Sequence, residues 1–280
     1  MANNIYNVAN KLLGVKGDII RVRFRVEGRV LEAYVPDDEM WGAIKDILLN
    51  REYEYIPGFE LENLKDKVVI DIGAHVGLYS LLASLYAKKV ISIEPHPVNY
   101  RLLEINKFIN NAQNIHPINT AIIGTKFVRS VRLCQSVHSG GASIMIESSS
   151  KCYDVPAQTL NEIVENYIDD VDSDVLLKMD VEGAEFDIFR SLDIGLLGRI
   201  RFIVMELHLK YGPLYDIVEK LKLANFQICY FHPPLIAKHA KPRIEVKDLL
   251  KLRILKSMIY LIASIGKLKN NDLVILFAYR

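Results

Sequence analysis

Apolar runs and helical segments alternate along the chain from about residue 67 onwards. The apolar runs are short and contain few polar residues, and the helical segments lie between them. Near-continuous apolar strands in alternation with helices are typical of a parallel sheet that is covered on both faces. The sequence therefore predicts a doubly wound α/β domain. Its predicted strands are residues 67–72, 89–93, 115–118, 175–179 and 201–205, and its predicted helices are residues 77–86, 97–110 and 213–224.

The two ends of the chain depart from this alternation. Residues 19–26 and 29–35 are β-rich and are joined by Glu27-Gly28, which predicts a hairpin. Asp37 or Asp38 is placed to cap a helix over residues 40–50. We therefore expect an N-terminal appendage over residues 1–60 and a main domain over residues 61–280.

The last strands also differ from the rest. After a strand at 226–231, the run at 272–279 has no room for a covering helix behind it. This predicts an antiparallel last strand inserted beside the preceding one. Between residues 122 and 155 the alternation stops, and short β-like pieces surround Gly140-Gly141. Long irregular segments above a rigid sheet often contact the substrate, so this insertion is a candidate for that role.

Composition and charge exclude some classes of protein. The 35 Lys and Arg residues nearly balance the 34 Asp and Glu residues, so no overall attraction to nucleic acid is expected. We expect no signal peptide and a cytoplasmic location. The three cysteines, Cys134, Cys152 and Cys229, are interpreted as buried free thiols in a reducing compartment.

Residues 249–268 are largely apolar, which raises the question of whether they cross a membrane. Two lysines bracket only ten residues there, too few to span a bilayer. Polar residues recur every three or four positions, which predicts an amphipathic helix. Packing on the rest of the protein is favoured over peripheral contact with a membrane surface.

The most informative motif is VVIDIGAHVG at residues 68–77. An apolar strand leads into Asp71, then Gly73, then Gly77 and a helix. Gly73 permits a tight turn, and Gly77 lets the helix start pack closely against the strand. Dinucleotide folds use G-x-G-x-x-G, whereas these glycines are four apart, and Asp71 would repel a pyrophosphate. Glu94 ends the next strand, where an acid can accept hydrogen bonds from ribose hydroxyls. Together these residues favour a nucleoside ligand with a cationic end.

Three blocks in order make a family resemblance. VVIDIGAHVGLYSLLA, ISIEPHPVNYRLLEIN and LLKMDVEGAEFDIFRSL resemble the FkbM-type methyltransferases over residues 52–208, with His75 where the family commonly has Asn. The resemblance implies a class I methyltransferase (Rossmann-like) fold with a mostly parallel seven-stranded sheet. It also implies S-adenosyl-L-methionine as methyl donor and O-methylation of a hydroxyl on a sugar, a glycan or another small molecule.

The resemblance also assigns roles to individual residues. The methionine part of the cofactor would be lined by the glycine motif, the ribose would be held by the acid after the second strand, and the adenine would lie near the third. Asp180 would lie near the methionine end or the transferred methyl group. The implied cofactor residues are Asp71, Gly73, His75, Gly77, Glu94, Asn119, Ala121 and Asp180.

The end of the fourth strand, KMDVEG at residues 178–183, would meet ligands at the carboxyl edge of the sheet. It lacks the Asn/Asp-Pro-Pro-Tyr/Phe signature of many amino-group methyltransferases, which argues against N-methylation of adenine or glutamine. A hydroxyl nucleophile must be aligned with the methyl group and must lose its proton, so a base is needed. The candidate bases are Asp180, Glu182, Glu206 and His208, of which Asp180, Glu206 and His208 are taken as the catalytic set.

Two further interpretations concern charge near this edge. Asp180 and Glu206 stand at the ends of strands four and five, where oxygen ligands would suit magnesium, but two acids do not complete a ligand set. Magnesium is therefore not favoured as a cofactor, and no metal ligand is assigned. Lys178 lies within a central strand and must pair with an acid, so Lys178 and Glu185 are interpreted as parts of a structural ion pair.

Two other functions stay open at this point. An RNA or protein methyltransferase would need a basic surface, and a basic run occurs at residues 238–247, where a solvated loop is the favoured interpretation. A binding module without chemistry would not need an intact cofactor motif, so Asp71, Gly73, Gly77 and Glu94 count against it. The expected partner is a small-molecule or glycan acceptor, with no nucleic acid, and the sequence predicts no oligomeric state.

Overall fold

A computed structural model of the chain describes residues 19–37, 44–134, 152–168, 174–232, 244–246 and 272–280. The strands, in chain order, are β1 (Ile19–Val26), β2 (Arg29–Pro36), β3 (Val68–Ile72), β4 (Lys89–Ile93), β5 (Ile115–Ile118), β6 (Ala121–Ile122), β7 (Ser130–Cys134), β8 (Cys152–Gln158), β9 (Val175–Met179), β10 (Phe202–His208), β11 (Gln227–Phe231), β12 (Ile244–Val246) and β13 (Leu273–Tyr279). The α-helices are α1 (Leu78–Ala83), α2 (Pro97–Ile109), α3 (Leu160–Tyr167), α4 (Glu185–Ser191), α5 (Ile194–Leu197) and α6 (Leu214–Leu223).

The central sheet has seven strands in the order β11-β13-β10-β9-β3-β4-β5. The neighbouring pairs from β10 to β5 are all parallel. β13 runs antiparallel to both of its neighbours, β10 and β11. The prediction of a mostly parallel seven-stranded sheet with an inserted antiparallel last strand is confirmed.

The middle of this sheet is buried on both faces. Every residue of β3 and of β9 is buried, which is why the sequence shows continuous apolar runs there instead of alternation. Val69 of β3 contributes to the core shared with α1 and α2, whereas Ile70 and Ile72 contribute to the core shared with α3, α4 and α6. The layers are therefore helices, sheet and helices.

β10 is longer than predicted. The apolar run suggested a strand over residues 201–205, but the strand extends to His208 because β13 pairs with it along its whole length, from Phe202 opposite Tyr279 to His208 opposite Leu273. Glu206 and His208 are therefore strand residues two positions apart, and their side chains lie on the same face of the sheet.

The N-terminal hairpin is confirmed, and it packs on α2. Two asparagines four positions apart at the C-terminal end of α2, Asn106 within the helix and Asn110 just after it, bind the backbone of β2. The side chain of Asn106 accepts a hydrogen bond from Tyr34 N at 2.7 Å and donates one to Tyr34 O at 3.0 Å. Asn110 makes the same pair of bonds with Glu32, at 2.9 Å and 2.6 Å. The hairpin also shares one hydrophobic core with α1 and α2.

The segment that follows the hairpin runs along the carboxyl edge of the sheet. The sequence predicted a helix over residues 40–50, and the described part of it is a single π-helix, Ile44–Leu49. A short 3₁₀ turn, Glu52–Glu54, comes next. This segment supplies side chains to the candidate site described below.

The predicted insertion contains a small sheet of its own, in the order β6-β8-β7. Cys134 and Cys152 are opposite each other in the β7–β8 pair and form a disulfide bond. The expectation of free thiols is therefore wrong for these two residues, because antiparallel pairing brings together cysteines that are 18 positions apart in sequence. Cys229 is free and half-buried.

Several sequence predictions lie outside the described residues: the amphipathic helix at 249–268, the side chains of the basic run at 238–247 and the glycine pair Gly140-Gly141. Within the described part of the chain, no helix has the length and apolar character needed to cross a bilayer.

Candidate active site

The predicted site residues meet at one edge of the sheet. Since β3, β4, β9 and β10 are parallel neighbours, their carboxyl ends lie side by side. Asp71 is the penultimate residue of β3, and His208 is the last residue of β10. Glu94 follows β4 and Asp180 follows β9. The carboxyl edge is where ligands bind in open α/β sheets, so the structure brings these four residues to the expected place.

Gly73 is required by the contact between two loops at this edge. Its φ angle is +73°, and a Cβ atom there would lie 1.7 Å from the carbonyl oxygen of Asp180. The loops are also joined by a hydrogen bond from Asp180 N to Ile72 O at 3.0 Å. Only glycine lets the loop after β3 pass this close to the loop after β9.

Gly77 has a different role from the predicted one. It has a φ angle of +83° at the start of α1, and a Cβ atom there would lie 3.0 Å from the side chain of Leu103. The close packing that it permits is therefore between α1 and α2, and not between α1 and the strand.

Glu94 is buried and held from two sides. Its Oε2 accepts a hydrogen bond from His75 N and its Oε1 accepts one from His96 N, both at 2.8 Å. His75 reaches this geometry with a φ angle of +54°. The carboxylate is fixed in place before any ligand arrives.

Asn119 fixes the loop that carries Glu94. Its amide donates to the backbone oxygens of Glu94 at 2.8 Å and Pro95 at 3.1 Å. Ala121 is buried in β6 and packs in the small core of the insertion. Both residues lie beside the end of β5, where the family resemblance places the adenine.

Asp71 is fully buried and already carries a counterion. Ser80 Oγ donates to its Oδ2 at 2.6 Å, and Lys178 Nζ forms an ion pair with its Oδ1 at 3.1 Å. Lys178 also donates to Gly73 O at 2.9 Å. Burial alone would lower the pKa of Lys178, but the charges of Asp71 and Asp180 raise it. Lys178 thus pairs with an acid as predicted, and the acid is Asp71 and not Glu185.

A second group of side chains lies at the ends of β9 and β10. Asp180 Oδ2 accepts a hydrogen bond from the hydroxyl of buried Tyr53 at 3.2 Å. His208 is placed between two acids, with Nδ1 2.9 Å from Glu185 Oε1 and Nε2 3.4 Å from Glu182 Oε2. Glu182 sits in the loop with a φ angle of +55°.

The ligand atoms of Asp180, Glu182 and His208 all lie within 4.8 Å of one another. In the described part of the chain, this is the one group of three such side chains that is compact enough to share an ion. The pair considered from the sequence, Asp180 with Glu206, does not form such a group.

Burial and mutual repulsion raise the pKa of several acids here. Burial and then the charges of Asp46 and Asp180 raise the pKa of Glu52 to about 8. Burial and Asp180 raise the pKa of Glu182 to about 7. The pKa of Glu206 is raised well above its ordinary value, by burial first and then by Asp180 and Glu52. Glu52 is therefore largely protonated near neutral pH, and Glu182 is partly protonated.

His208 shows the opposite balance. Burial alone would lower its pKa, but the hydrogen bond to Glu185 and the charges of Glu185, Asp180 and Glu182 outweigh burial and raise it. Sequence reasoning missed Asp46, Glu52 and Tyr53 altogether. They come from the segment after the hairpin, and Tyr53 is 127 positions from the residue that it binds, so no local pattern could reveal them.

The strand order, the antiparallel last strand and the site residues at the carboxyl edge define a class I methyltransferase fold. Residues 71–228 match the family model described as the methyltransferase FkbM domain. That match covers more than half of the chain, and the chain belongs to the FkbM methyltransferase domain family. The resemblance inferred from the three sequence blocks is confirmed.

Individual proteins are similar at lower levels. Methyltransferase sdnD of Sordaria araneosa is 24% identical over an alignment of 180 residues, and the match covers 53% of this chain and 69% of that protein. A human methyltransferase 10 domain containing protein gives a TM-score of 0.44 at 12% identity, covering 99% of this chain and 93% of the other. TYW2 of M. jannaschii, solved in complex with AdoMet, gives 0.41 at 12% identity, with 94% and 87% covered.

Proposed function

We propose that this protein transfers a methyl group from S-adenosylmethionine to a hydroxyl group of a sugar, a glycan or another small molecule. One observation carries the proposal. The imidazole of His208 lies beside Asp180, and Asp180 contacts the glycine loop at the same sheet edge as Glu94. A proton acceptor and a nucleoside-binding carboxylate are thus arranged around one edge.

The residues of the β3 and β4 loops suit this cofactor. Glu94 presents a carboxylate that two backbone N–H groups hold in position at the end of β4, where an acid can accept hydrogen bonds from ribose hydroxyls. When bound, the cofactor supplies an electrophilic methyl group. The chain has to orient the acceptor and take its proton.

Among the candidate bases, His208 suits proton acceptance best. Burial and the charges of Asp180 and Glu52 raise the pKa of Glu206 well above its ordinary value, so its charged form is disfavoured and it is not assigned as the base. Asp180 already accepts a hydrogen bond from Tyr53, and we assign it to orienting the acceptor hydroxyl. His208, 15% exposed at the end of β10, has an Nε2 atom that can receive the hydroxyl proton as the oxygen attacks the methyl carbon.

A binding experiment tests the cofactor assignment. By calorimetry, the purified protein is expected to bind S-adenosylmethionine and its demethylated product, and to show no binding of NAD. The physical reason is the spacing of the glycines together with the acid after β4. Binding of NAD without S-adenosylmethionine would overturn the assignment.

A kinetic experiment tests the base. With labelled cofactor, a panel of sugars, glycans and small alcohols is screened for methyl incorporation, and the best acceptor is used. His208→Ala is expected to lower kcat about a hundredfold or more, with unchanged cofactor affinity. His116→Ala, at an exposed histidine of β5, is the matched control and should be active.

The outcomes separate the alternatives. A normal rate for His208→Ala would rule out His208 as the base. Activity that is lost with a chelator and restored by magnesium would then favour a metal-bound acceptor. Activity that resists the chelator would favour a carboxylate.

A further inference from the structure

Glu185 is an acid that the function proposed above does not use. It is the first residue of α4, it is completely buried, and it lies below the loop that carries Asp180 and Glu182. Its Oε1 atom accepts hydrogen bonds from the backbone N–H groups of Val181 at 3.3 Å and Gly183 at 3.0 Å. These two donors fix the position of Oε1 and make it an acceptor.

The same oxygen lies 2.9 Å from His208 Nδ1. Because Oε1 faces two N–H donors already, the bond to the ring requires that Nδ1 carries a hydrogen. In neutral imidazole only one nitrogen is protonated, so Nε2 then has the free lone pair. Nε2 is the atom that faces Glu182, 3.4 Å from its Oε2, and the Glu182 side chain is 42% exposed.

We propose that Glu185 is a positioning residue that holds His208 in the tautomer with Nδ1 protonated and Nε2 free to accept a proton. The proposal rests on the function assigned above. Glu185 touches neither cofactor nor acceptor. It acts by selecting one of two forms of the ring and by placing a negative charge behind the imidazolium that forms when the acceptor loses its proton.

The surroundings of the ring support this assignment. The charged groups that face His208 are Glu185 behind it and Asp180 and Glu182 in front, and Lys210 acts on Glu182. Glu185 is the one of the three acids that is completely buried and bound to two backbone N–H groups, whereas the side chain of Glu182 is 42% exposed. The orientation of the His208 ring is therefore set by Glu185, whose position two backbone N–H groups fix.

The tautomer can be measured without any activity. In protein labelled with ¹⁵N-histidine, the two ring nitrogens of neutral His208 have different chemical shifts, and His208→Ala identifies the resonances. The proposal expects Nδ1 to be protonated and Nε2 to be unprotonated. A ring with the hydrogen on Nε2 would overturn it. His116 and His232, both exposed, are internal references.

A double-mutant cycle tests the role in methyl transfer. Glu185→Gln keeps an oxygen for the backbone donors but removes the charge behind the ring. It is expected to lower kcat about 10–100-fold at saturating cofactor and to move the midpoint of the pH profile to lower pH, with cofactor affinity unchanged. In a His208→Ala background the same substitution is expected to change kcat less than twofold.

Two controls make the cycle decisive. Asp187→Asn changes another acid of α4 that accepts a backbone hydrogen bond, from Gly124 N at 3.1 Å, and it should leave the pH profile unchanged. An equal loss from Glu185→Gln in both backgrounds would show a purely structural role. If His208→Ala alone has a normal rate, the proposed base fails, and the ¹⁵N spectrum still decides whether Glu185 sets the tautomer.

Discussion

The cofactor side and the acceptor side proposed for the sheet edge balance their charges differently. On the cofactor side, Asp71 is paired with Lys178 and Glu94 is bound by two backbone N–H groups. On the acceptor side, burial raises the pKa of Glu52 to about 8 and that of half-buried Glu206 well above its ordinary value, and no hydrogen bond from the described residues fixes either carboxylate. The carboxylates on the cofactor side thus have their partners before any ligand binds, whereas Glu52 and Glu206 have none within the described part of the chain.

This difference separates two uses of a buried acid. A carboxylate that is paired or bound by backbone donors keeps its charge and its position, as a site for one constant ligand requires. A carboxylate that is buried without a partner takes up a proton and can donate or accept a hydrogen bond as its ligand requires. We expect substitutions on the cofactor side to affect folding and binding, and those on the acceptor side to affect rate and pH dependence.

The largest effect is expected for Asp71→Asn. It leaves the buried Lys178 without its counterion, and breaking a buried ion pair from one side costs about 3–5 kcal/mol. Urea unfolding should show this loss in the free energy of unfolding. Asp174→Asn, which breaks a largely exposed pair with Arg201, should cost about 1 kcal/mol or less. A variant that is fully stable and has lost only cofactor affinity would show that Asp71 acts directly on the ligand.

The next effect is expected for Glu94→Ala. The substitution removes the charged acceptor proposed for the ribose, and each hydrogen bond to a charged group contributes about 1.5–3 kcal/mol. Calorimetry should show cofactor binding weakened by about 10–100-fold. The exposed Glu104 supplies the control, Glu104→Ala, which should bind normally. Near-normal affinity in Glu94→Ala would mean that the ribose is bound elsewhere.

The smallest effect is expected for Glu52→Gln, and its sign depends on pH. The pKa of Glu52 in the folded protein is about 8, above its ordinary value of 4.5. Protonated Glu52 therefore favours the folded state fully below pH 4.5, and this contribution is lost as the pH rises through about 8. Thermal unfolding should show little difference from the natural protein at pH 5.

Above pH 8 the Gln variant should be the more stable protein, by a margin on the order of 1–3 kcal/mol, because it carries no buried charge. Glu165→Gln, at an exposed position of α3, should show no such pH dependence. A difference in the free energy of unfolding between Glu52→Gln and the natural protein that stays constant across this pH range would mean that the pKa of Glu52 is not raised in the folded protein.

Much of the fold could be predicted because its signals are local. β4, β5 and β9 have the predicted bounds, since a buried parallel strand shows itself as a short apolar run. β10 was predicted too short, because Glu206 interrupts the apolar run while pairing with β13 continues. The disulfide was missed because it depends on the register between β7 and β8.

The site was predictable only as a set of strand ends. The order of strands along the chain placed Asp71, Glu94, Asp180 and His208 at one edge, but it could not show which charges pair. Lys178 forms its ion pair with Asp71, which is 107 positions away in the sequence, and Glu185 contacts His208. Such pairings depend on side-chain directions after folding, which carry no signature in sequence.

Asn106 and Asn110, at the C-terminal end of α2, affect how exposed the edge of the outer hairpin strand is. β2 lies at the edge of its sheet, and an open edge offers unpaired N–H and C=O groups to any other extended chain. Asn106 and Asn110 fill those groups at Tyr34 and Glu32, as a neighbouring strand would. The helix therefore protects this edge from strand-to-strand aggregation. Replacing both asparagines with alanine would open a template for self-association at a distance from the methyl-transfer chemistry.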